Sequence, residues 1–299
     1  MRISDASTNS DLTARINSQR SRLSILQEQI ASGKRINRAS DDPAGTEAVL
    51  RLRTSQNEIE GFKRSTGSVN QKLTAADDAL QSYEPLLERA RALVSQGLSD
   101  TTPQTAKNAL AVELDGLRQR ILTVANAKNG DEYLFGGTRQ TGAPFDPATA
   151  TPAATPASAQ FVQIEPGANA IAAGVTAENV FSDPNSTVFA DLTNAAAALR
   201  GTGNAVNDAA ALKNSNSRLQ IYANQASAAR VQIGVNLQTT QSVQDQLGGS
   251  FLTLNERASQ IEDADFAQTA VNLNETQRAL DATLQVAARS RRSLLDFLS

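Results

Sequence analysis

Residues 48–94 carry a hydrophobic repeat that leaves few choices of fold. Stepping alternately by four and three gives Leu52, Ile59, Thr66, Leu73, Leu80, Leu87 and Val94 on one track. The other track holds Ala48, Ser55, Phe62, Val69, Ala76, Tyr83 and Ala90. Twelve of these fourteen positions are apolar, with charged residues between them, so the pattern is a sustained heptad. At 1.5 Å per residue it specifies a helical rod of roughly 70 Å, which needs a long partner to cover its seam. The seam residues expected to build it are Leu52, Ile59, Phe62, Val69, Leu73, Leu80, Leu87 and Val94.

Three residues oppose the rod. Gly61 and Gly67 each cost about 1 kcal/mol relative to Ala, and Pro85 removes a backbone donor in a helix interior. The register resumes unchanged at Leu87, which predicts a kink between Gln81 and Pro85 and no chain reversal. A second helix follows Gly97, with Leu110, Leu114, Leu117, Ile121 and Val124 on one face and Thr102-Pro103 at its start. It should fold back on the first as an antiparallel hairpin.

The helical period is lost from Asn129-Gly130 to about Gly203. Gly and Pro punctuate short segments there. Tyr133–Phe135 and Phe161–Ile164 read as strands, Ala148–Ala159 as a low-complexity loop, and Val188, Phe189, Leu192 and Leu199 as one short helix. Helical pattern returns near Asp208 through Leu212, Leu219, Tyr222, Ala226, Ala229, Ile233 and Val243, with a break expected at Gly248-Gly249. The fold class is mainly α: an elongated antiparallel helical bundle or coiled coil with a small strand-containing insert. Its expected parts are a terminal-helix region with connector (1–45), the two halves of the rod (46–130 and 206–262), the outward insert (131–205) and a C-terminal helix (263–299).

Both ends of the chain carry apolar stripes. Leu12, Ile16, Leu23, Leu26 and Ile30 form one; Leu273, Leu280, Leu284, Leu294 and Leu298 form the other. The two terminal helices are expected to pair. An isolated pair buries little against an ordering cost of about 1–2 kcal/mol per residue, so neighbouring subunits should supply the missing cover. These residues are therefore the expected assembly interface.

Composition narrows the function. The chain has neither Cys nor His, which removes thiolate and imidazole chemistry and the usual zinc ligands. Nothing else supplies a base, nucleophile and electrophile together, so no catalytic residue, cofactor or metal is expected. A net charge of −3 among 299 residues gives no field for nucleic acid. Met1–Asp11 is polar and lacks a signal-peptide core, and no stretch is apolar enough to insert in a membrane. Gly33-Lys34 lacks the earlier glycine and the following hydroxyl of a phosphate loop.

Residues 32–45, Ser-Gly-Lys-Arg-Ile-Asn-Arg-Ala-Ser-Asp-Asp-Pro-Ala-Gly, read as a helix–connector–helix joint. Gly33 can end one helix in the left-handed conformation. Ser40 or Asp41 can cap the next, with Pro43 in its first turn and acidic charge at its positive end. The string resembles the N-terminal signature of the flagellin superfamily. Ile261-Glu262-Asp263-Ala264-Asp265-Phe266-Ala267 and the amphipathic helix after it resemble the C-terminal part of the same superfamily. Met1-Arg2-Ile3-Ser4, Tyr133-Leu134-Phe135-Gly136-Gly137-Thr138 and Ser293–Leu298 are similar to its hook–filament junction branch.

The resemblance implies a structural protein of the bacterial flagellum, exported without a cleaved signal. It would assemble as a ring between a hook-side junction protein and flagellin. Its signature connector would be Gly33, Arg35, Ile36, Asn37, Asp41, Asp42, Pro43 and Gly45. An export chaperone would hold the C-terminal helix at Leu280, Leu284 and Leu294. Two alternatives stay open: the filament protein itself, and a cytosolic coiled-coil adaptor.

Overall fold

A computed structural model describes residues 2–139, 141–167 and 170–296. In chain order the elements are α1 (Arg2–Ser32), α2 (Pro43–Gly97), α3 (Gln104–Ala125), β1 (Lys128–Asn129), β2 (Glu132–Tyr133), β3 (Phe161–Val162) and β4 (Ile171–Ala172). Then come α4 (Ala177–Phe181), β5 (Ser182–Asp183), β6 (Ser186–Thr187), α5 (Val188–Arg200), α6 (Ala205–Glu262) and α7 (Phe266–Asp296). The fold is mainly α, and among the described residues the strands form three two-residue antiparallel pairs: β1 with β2, β3 with β4 and β5 with β6. The chain divides into two compact units, residues 59–248 and residues 1–58 with 249–299.

The unit of residues 59–248 is built on the heptad. Leu73, Ala76, Leu80, Tyr83, Leu87, Ala90 and Val94 are fully buried, and Ile59 and Val69 nearly so. Phe62 is half-buried. The polar seam position Thr66 is satisfied where it lies, its hydroxyl donating to Phe62 O at 2.8 Å and reaching Ile164 O of the insert at 3.3 Å. Helix α2 runs unbroken through Pro85, whose ring stands on the exposed side where its missing N–H costs least.

Helix α3 starts after Pro103 and buries Leu110, Leu114, Leu117 and Ile121. It returns beside α2, and Arg89 Nε reaches Glu113 at 2.6 Å. On α3's other flank lies α5, tied by Gln104 Nε2 donating to Leu199 O at 2.7 Å and by the Arg200–Asp115 ion pair. Gly97 lets Leu199 approach α2, since a Cβ there would fall 2.1 Å from Leu199 Cδ2.

Helix α6 packs back on α2 and α5. Arg230 pairs with Asp77 and Glu84 of α2, each at 2.9 Å. Tyr222 donates to the buried carboxylate of Asp191 on α5 at 2.7 Å. Burial pushes the Asp191 carboxyl up, and burial followed by the Asp191 hydrogen bond pushes the Tyr222 phenol up. The insert is fastened to the rod by the ring of Tyr83, 4.8 Å from that of Phe181, and within the insert Phe135 lies 5.2 Å from Phe181.

Several expectations are corrected. Helix α6 continues through Gly248-Gly249, where a break was expected. Two helical glycines cost about 2 kcal/mol together, less than the packing of so long a helix returns. The strand expected at Tyr133–Phe135 lies at Glu132–Tyr133, and the one expected at Phe161–Ile164 shortens to Phe161–Val162, because each pairs with only two residues.

In the unit of residues 1–58 and 249–299, α1 packs along α7. Leu26 is buried, and Leu12, Ile16, Leu23 and Ile30 are half-buried. Leu52 of α2 is half-buried as well.

Candidate assembly joint

The connector between α1 and α2 turns on two short polar residues and two glycines. Gly33 has φ +71°, and its N–H donates to Gln29 O at 2.9 Å, ending α1 in the left-handed conformation. Asp41 then folds the connector back on itself, its Oδ2 accepting the N–H groups of Asn37 at 3.1 Å and Arg38 at 2.8 Å. Asp42, not Ser40 or Asp41, caps α2: its Oδ1 accepts Gly45 N–H at 2.8 Å. Adjacent aspartates are equivalent to a local pattern, and only the path of the loop separates them. Pro43 opens α2 as expected.

Gly45 closes this cap. A Cβ there would lie 2.5 Å from Asp42 Oδ2 and 2.7 Å from Ile36 Cδ1. Ile36 is buried, as are Leu26 and Val49. The connector therefore has a small apolar underside and a hydrogen-bonded rim.

The rim belongs to the other end of the chain. A helix leaves its last carbonyls without partners, and the connector supplies them for α6. Glu262 O accepts Arg35 N–H at 2.7 Å and Ile36 N–H at 3.3 Å. Ile261 O accepts the Arg35 guanidinium at 2.7 Å, a cation where the helix dipole favours one. Ala264 N–H donates to Gly33 O at 2.9 Å, and Lys34 and Asp263 form an antiparallel bridge. Asp265 accepts Gln268 N–H at 3.0 Å and so starts α7.

The Glu262 side chain is the focus of charge. Lys34 Nζ reaches its Oε1 at 2.7 Å, and Arg53 Nη2 reaches both oxygens at 2.7 Å. Burial alone would raise its pKa, but the hydrogen bonds from Lys34 and Arg53 prevail and hold it below the ordinary value. Asp42 is held down as well, first by the Gly45 N–H and then by Arg35, 3.1 Å away.

Gly33, Arg35, Ile36, Asn37, Asp41, Asp42, Pro43 and Gly45 all lie in this turn or at the helix ends it joins. Glu262 and Arg53 were not anticipated as parts of the joint. Glu262 lies inside the second family-like segment, but no local pattern shows which residues 209 or more positions away it meets.

Those of the expected assembly residues that are described fall on α1 and α7. Leu273 and Leu280 are half-buried, whereas Leu284 is exposed. Leu294 lies where only the backbone is described, and Leu298 lies outside the described residues. Threonines recur on α7 at every seventh position: Thr269 and Thr276 are buried and Thr283 half-buried. Each hydroxyl donates at 2.7 Å to the carbonyl four residues back. Thr283 also reaches Gln19 of α1 at 3.2 Å.

Among the described residues, no cluster of three acidic, His or Cys side chains could hold a metal ion, and no helix is long and apolar enough to cross a membrane.

Residues 3–140 match the family described as the bacterial flagellin N-terminal helical region. The chain is 26% identical over 274 residues to flagellar hook-associated protein 3 of Escherichia coli, covering 86% of each chain. The corresponding Salmonella typhimurium protein is 27% identical over 125 residues, 42% of this chain and 39% of that one. The fold is shared with the crystal structure of Xanthomonas campestris FlgL, with a TM-score of 0.62 at 16% identity over 70% of this chain and 99% of that one.

Proposed function

We infer, from the flagellin-type N-terminal helical region and from the likeness to flagellar hook-associated protein 3 over most of its length, that this chain is a structural protein of the bacterial flagellum. Its place is the junction between hook and filament, with a hook-side junction protein on one side and flagellin on the other. Copies assemble as a ring outside the cell. Its work is architectural, and no catalytic step is assigned to any residue.

One observation carries this reading. The two family-like segments, at opposite ends of the sequence, meet in a single joint around Glu262. That joint ties the base of α1 to the base of α7, so the two terminal helices leave it as a pair. The pair buries Leu26, Thr269 and Thr276 but leaves Leu12, Ile16, Leu273 and Leu280 only half-covered. Each such side chain gains about 1.5–3 kcal/mol on full burial, and a neighbouring copy supplies the cover. Before export, a chaperone would occupy the α7 side at Leu280, Leu284 and Leu294 as a helix-in-groove partner.

Tagged protein imaged on whole cells tests the placement. A single focus at the base of each filament is expected. Label along the filament would make the chain a filament protein, and label confined to the cytosol would make it an adaptor. Deleting residues 1–33 and 265–299 should leave a helical monomer that no longer joins the appendage; continued incorporation would refute the role given to the ends.

A further inference from the structure

The β5–β6 turn stands beside two cavities in the unit of residues 59–248. One, of about 410 Å³, is lined by Arg118 of α3, Thr193 of α5 and the loop residues Thr149 and Thr151. The other, of about 480 Å³, runs along Asn207, Asn214 and Arg218 near the start of α6. Each is of the size that holds a small ligand. Exposed Asn185 and Asn194 line both, so the two cavities adjoin across a shared rim.

Arg118 is half-buried and has no carboxylate partner among the described residues. The arginines on either side are provided for: Arg200 pairs with Asp115, and Arg218 with Asp183 at 2.8 Å. Withdrawing a cation from water is costly unless an anion meets it. A guanidinium presents a planar fork of donors that matches a carboxylate.

The other polar groups around the cavities divide into two sets. Some are spent within the chain: Ser186 Oγ donates to Asp191 at 3.0 Å, Thr202 Oγ1 to Asp208 at 2.6 Å and Thr193 Oγ1 to Phe189 O at 2.8 Å. The side-chain amides of Asn185, Asn194, Asn207 and Asn214 are exposed and bonded to nothing among the described residues. An amide both donates and accepts, and so does a hydroxyl, which makes a run of free amides complementary to a ligand rich in hydroxyl groups. A peptide would anchor by large apolar side chains. The apolar walls here are mainly Ala190, Ala197, Ala198 and Ala211, and Phe189 is 2% exposed.

The walls are set before a ligand arrives. Asp183 Oδ1 accepts the N–H groups of Asn185 at 2.7 Å and Ser186 at 2.8 Å. Asp146 Oδ1 accepts those of Ala148 at 2.7 Å and Thr149 at 2.9 Å. Fixed loops lower the ordering cost of binding.

We propose that these adjoining cavities bind a carboxylated oligosaccharide, with its carboxylate on Arg118 and its hydroxyl groups along the asparagine amides. The inference goes beyond the architectural role and does not depend on it.

The full-length protein would be probed on immobilised oligomers of galacturonate, mannuronate, hyaluronan and sialyllactose, each beside its carboxyl-reduced form. At least one carboxylated probe should bind, about tenfold more tightly than its reduced form, the worth of one charged hydrogen bond. R118Q should abolish that preference, and R118K, which keeps the charge and loses the fork, should lose most of it. N194A with N214A should weaken both forms by roughly fivefold. Circular dichroism checks that each variant keeps its helix content. R120Q removes an exposed cation that lines neither cavity and should bind as the wild type does. Binding of no probe would overturn the inference, and so would unchanged binding in natively folded R118Q. Equal losses in R120Q and R118Q would reduce the effect to net charge and overturn it too. Equal competition by tetra-aspartate would assign the site to acidic peptides instead.

Discussion

Arg53 Nη2 lies 2.7 Å from both carboxylate oxygens of Glu262, and Lys34 Nζ meets the same carboxylate at 2.7 Å. One acidic side chain, 14% exposed, thereby holds cations from two segments that belong to the other end of the sequence. E262Q keeps the shape and removes the charge. Each lost contact is a charged hydrogen bond to a half-exposed partner, so about 1–2 kcal/mol is expected. Amide exchange at Arg35 and Ile36 should quicken, while that at Leu80 and Leu87 stays unchanged. Unaltered protection at Arg35 would show that the backbone contacts alone make the joint.

Acid should loosen this joint before it loosens the rod. Glu262 and Asp42 both titrate below their ordinary values of 4.5 and 3.8 in the folded chain. A lowered folded pKa gives stability that is present above the unfolded value and is lost as pH falls through the folded one. Asp191 has the opposite sign, because burial raises its folded pKa. Its penalty is relieved as pH falls. Protection of Arg35, Ile36 and Gly45 should therefore decline below about pH 4.5, with the slope reduced in E262Q. A joint equally protected at pH 3 and pH 7 would contradict the charge-based account.

Two glycine-to-alanine changes should act in opposite directions. At Gly45 the added methyl meets Asp42 and Ile36 inside 2.8 Å. Overpacking costs about 1–3 kcal/mol, which outweighs a propensity gain of up to about 1 kcal/mol. At Gly116 the methyl meets nothing, so the isolated molecule should gain about 0.5–1 kcal/mol. Denaturant midpoints of the two variants provide the comparison; a shift of the same sign in both would undo the distinction between a required glycine and an open one.

The rod was legible because a heptad is a local signal: Leu73, Leu80, Leu87 and Val94 are buried as their spacing requires. The turn chemistry of Gly33 and Pro43 was legible for the same reason. Glu262 was not, since its partners Lys34 and Arg53 come from a distant segment and nothing periodic links them. Gly248 and Gly249 misled because propensity is a small term beside the packing of a long helix. In the insert, β3 pairs with β4 through Phe161–Ala172 and Val162–Ile171, and two-residue strands are too short to show an alternating pattern.

The α7 threonines make the final test, because they separate stability from assembly. Thr269, Thr276 and Thr283 stand where a stable coiled coil would place aliphatic side chains. Each hydroxyl lies 2.7 Å from a carbonyl four residues back, and that of Thr283 also reaches Gln19 of α1 at 3.2 Å. At Thr269 and Thr276 the hydroxyls therefore add little to the pairing with α1. Changing Thr269 and Thr276 to Val keeps the β-branched shape and replaces each buried hydroxyl with a methyl worth about 0.8 kcal/mol. The double variant should stiffen the α1–α7 pair by roughly 1.5 kcal/mol, visible as slower amide exchange in both helices. If the ends must open their mutual contact to accept a neighbour, incorporation into the appendage should then slow. A variant with a stiffer pair that assembles at the wild-type rate would show that the threonines do not tune assembly, and that the terminal helices enter the structure as an intact pair.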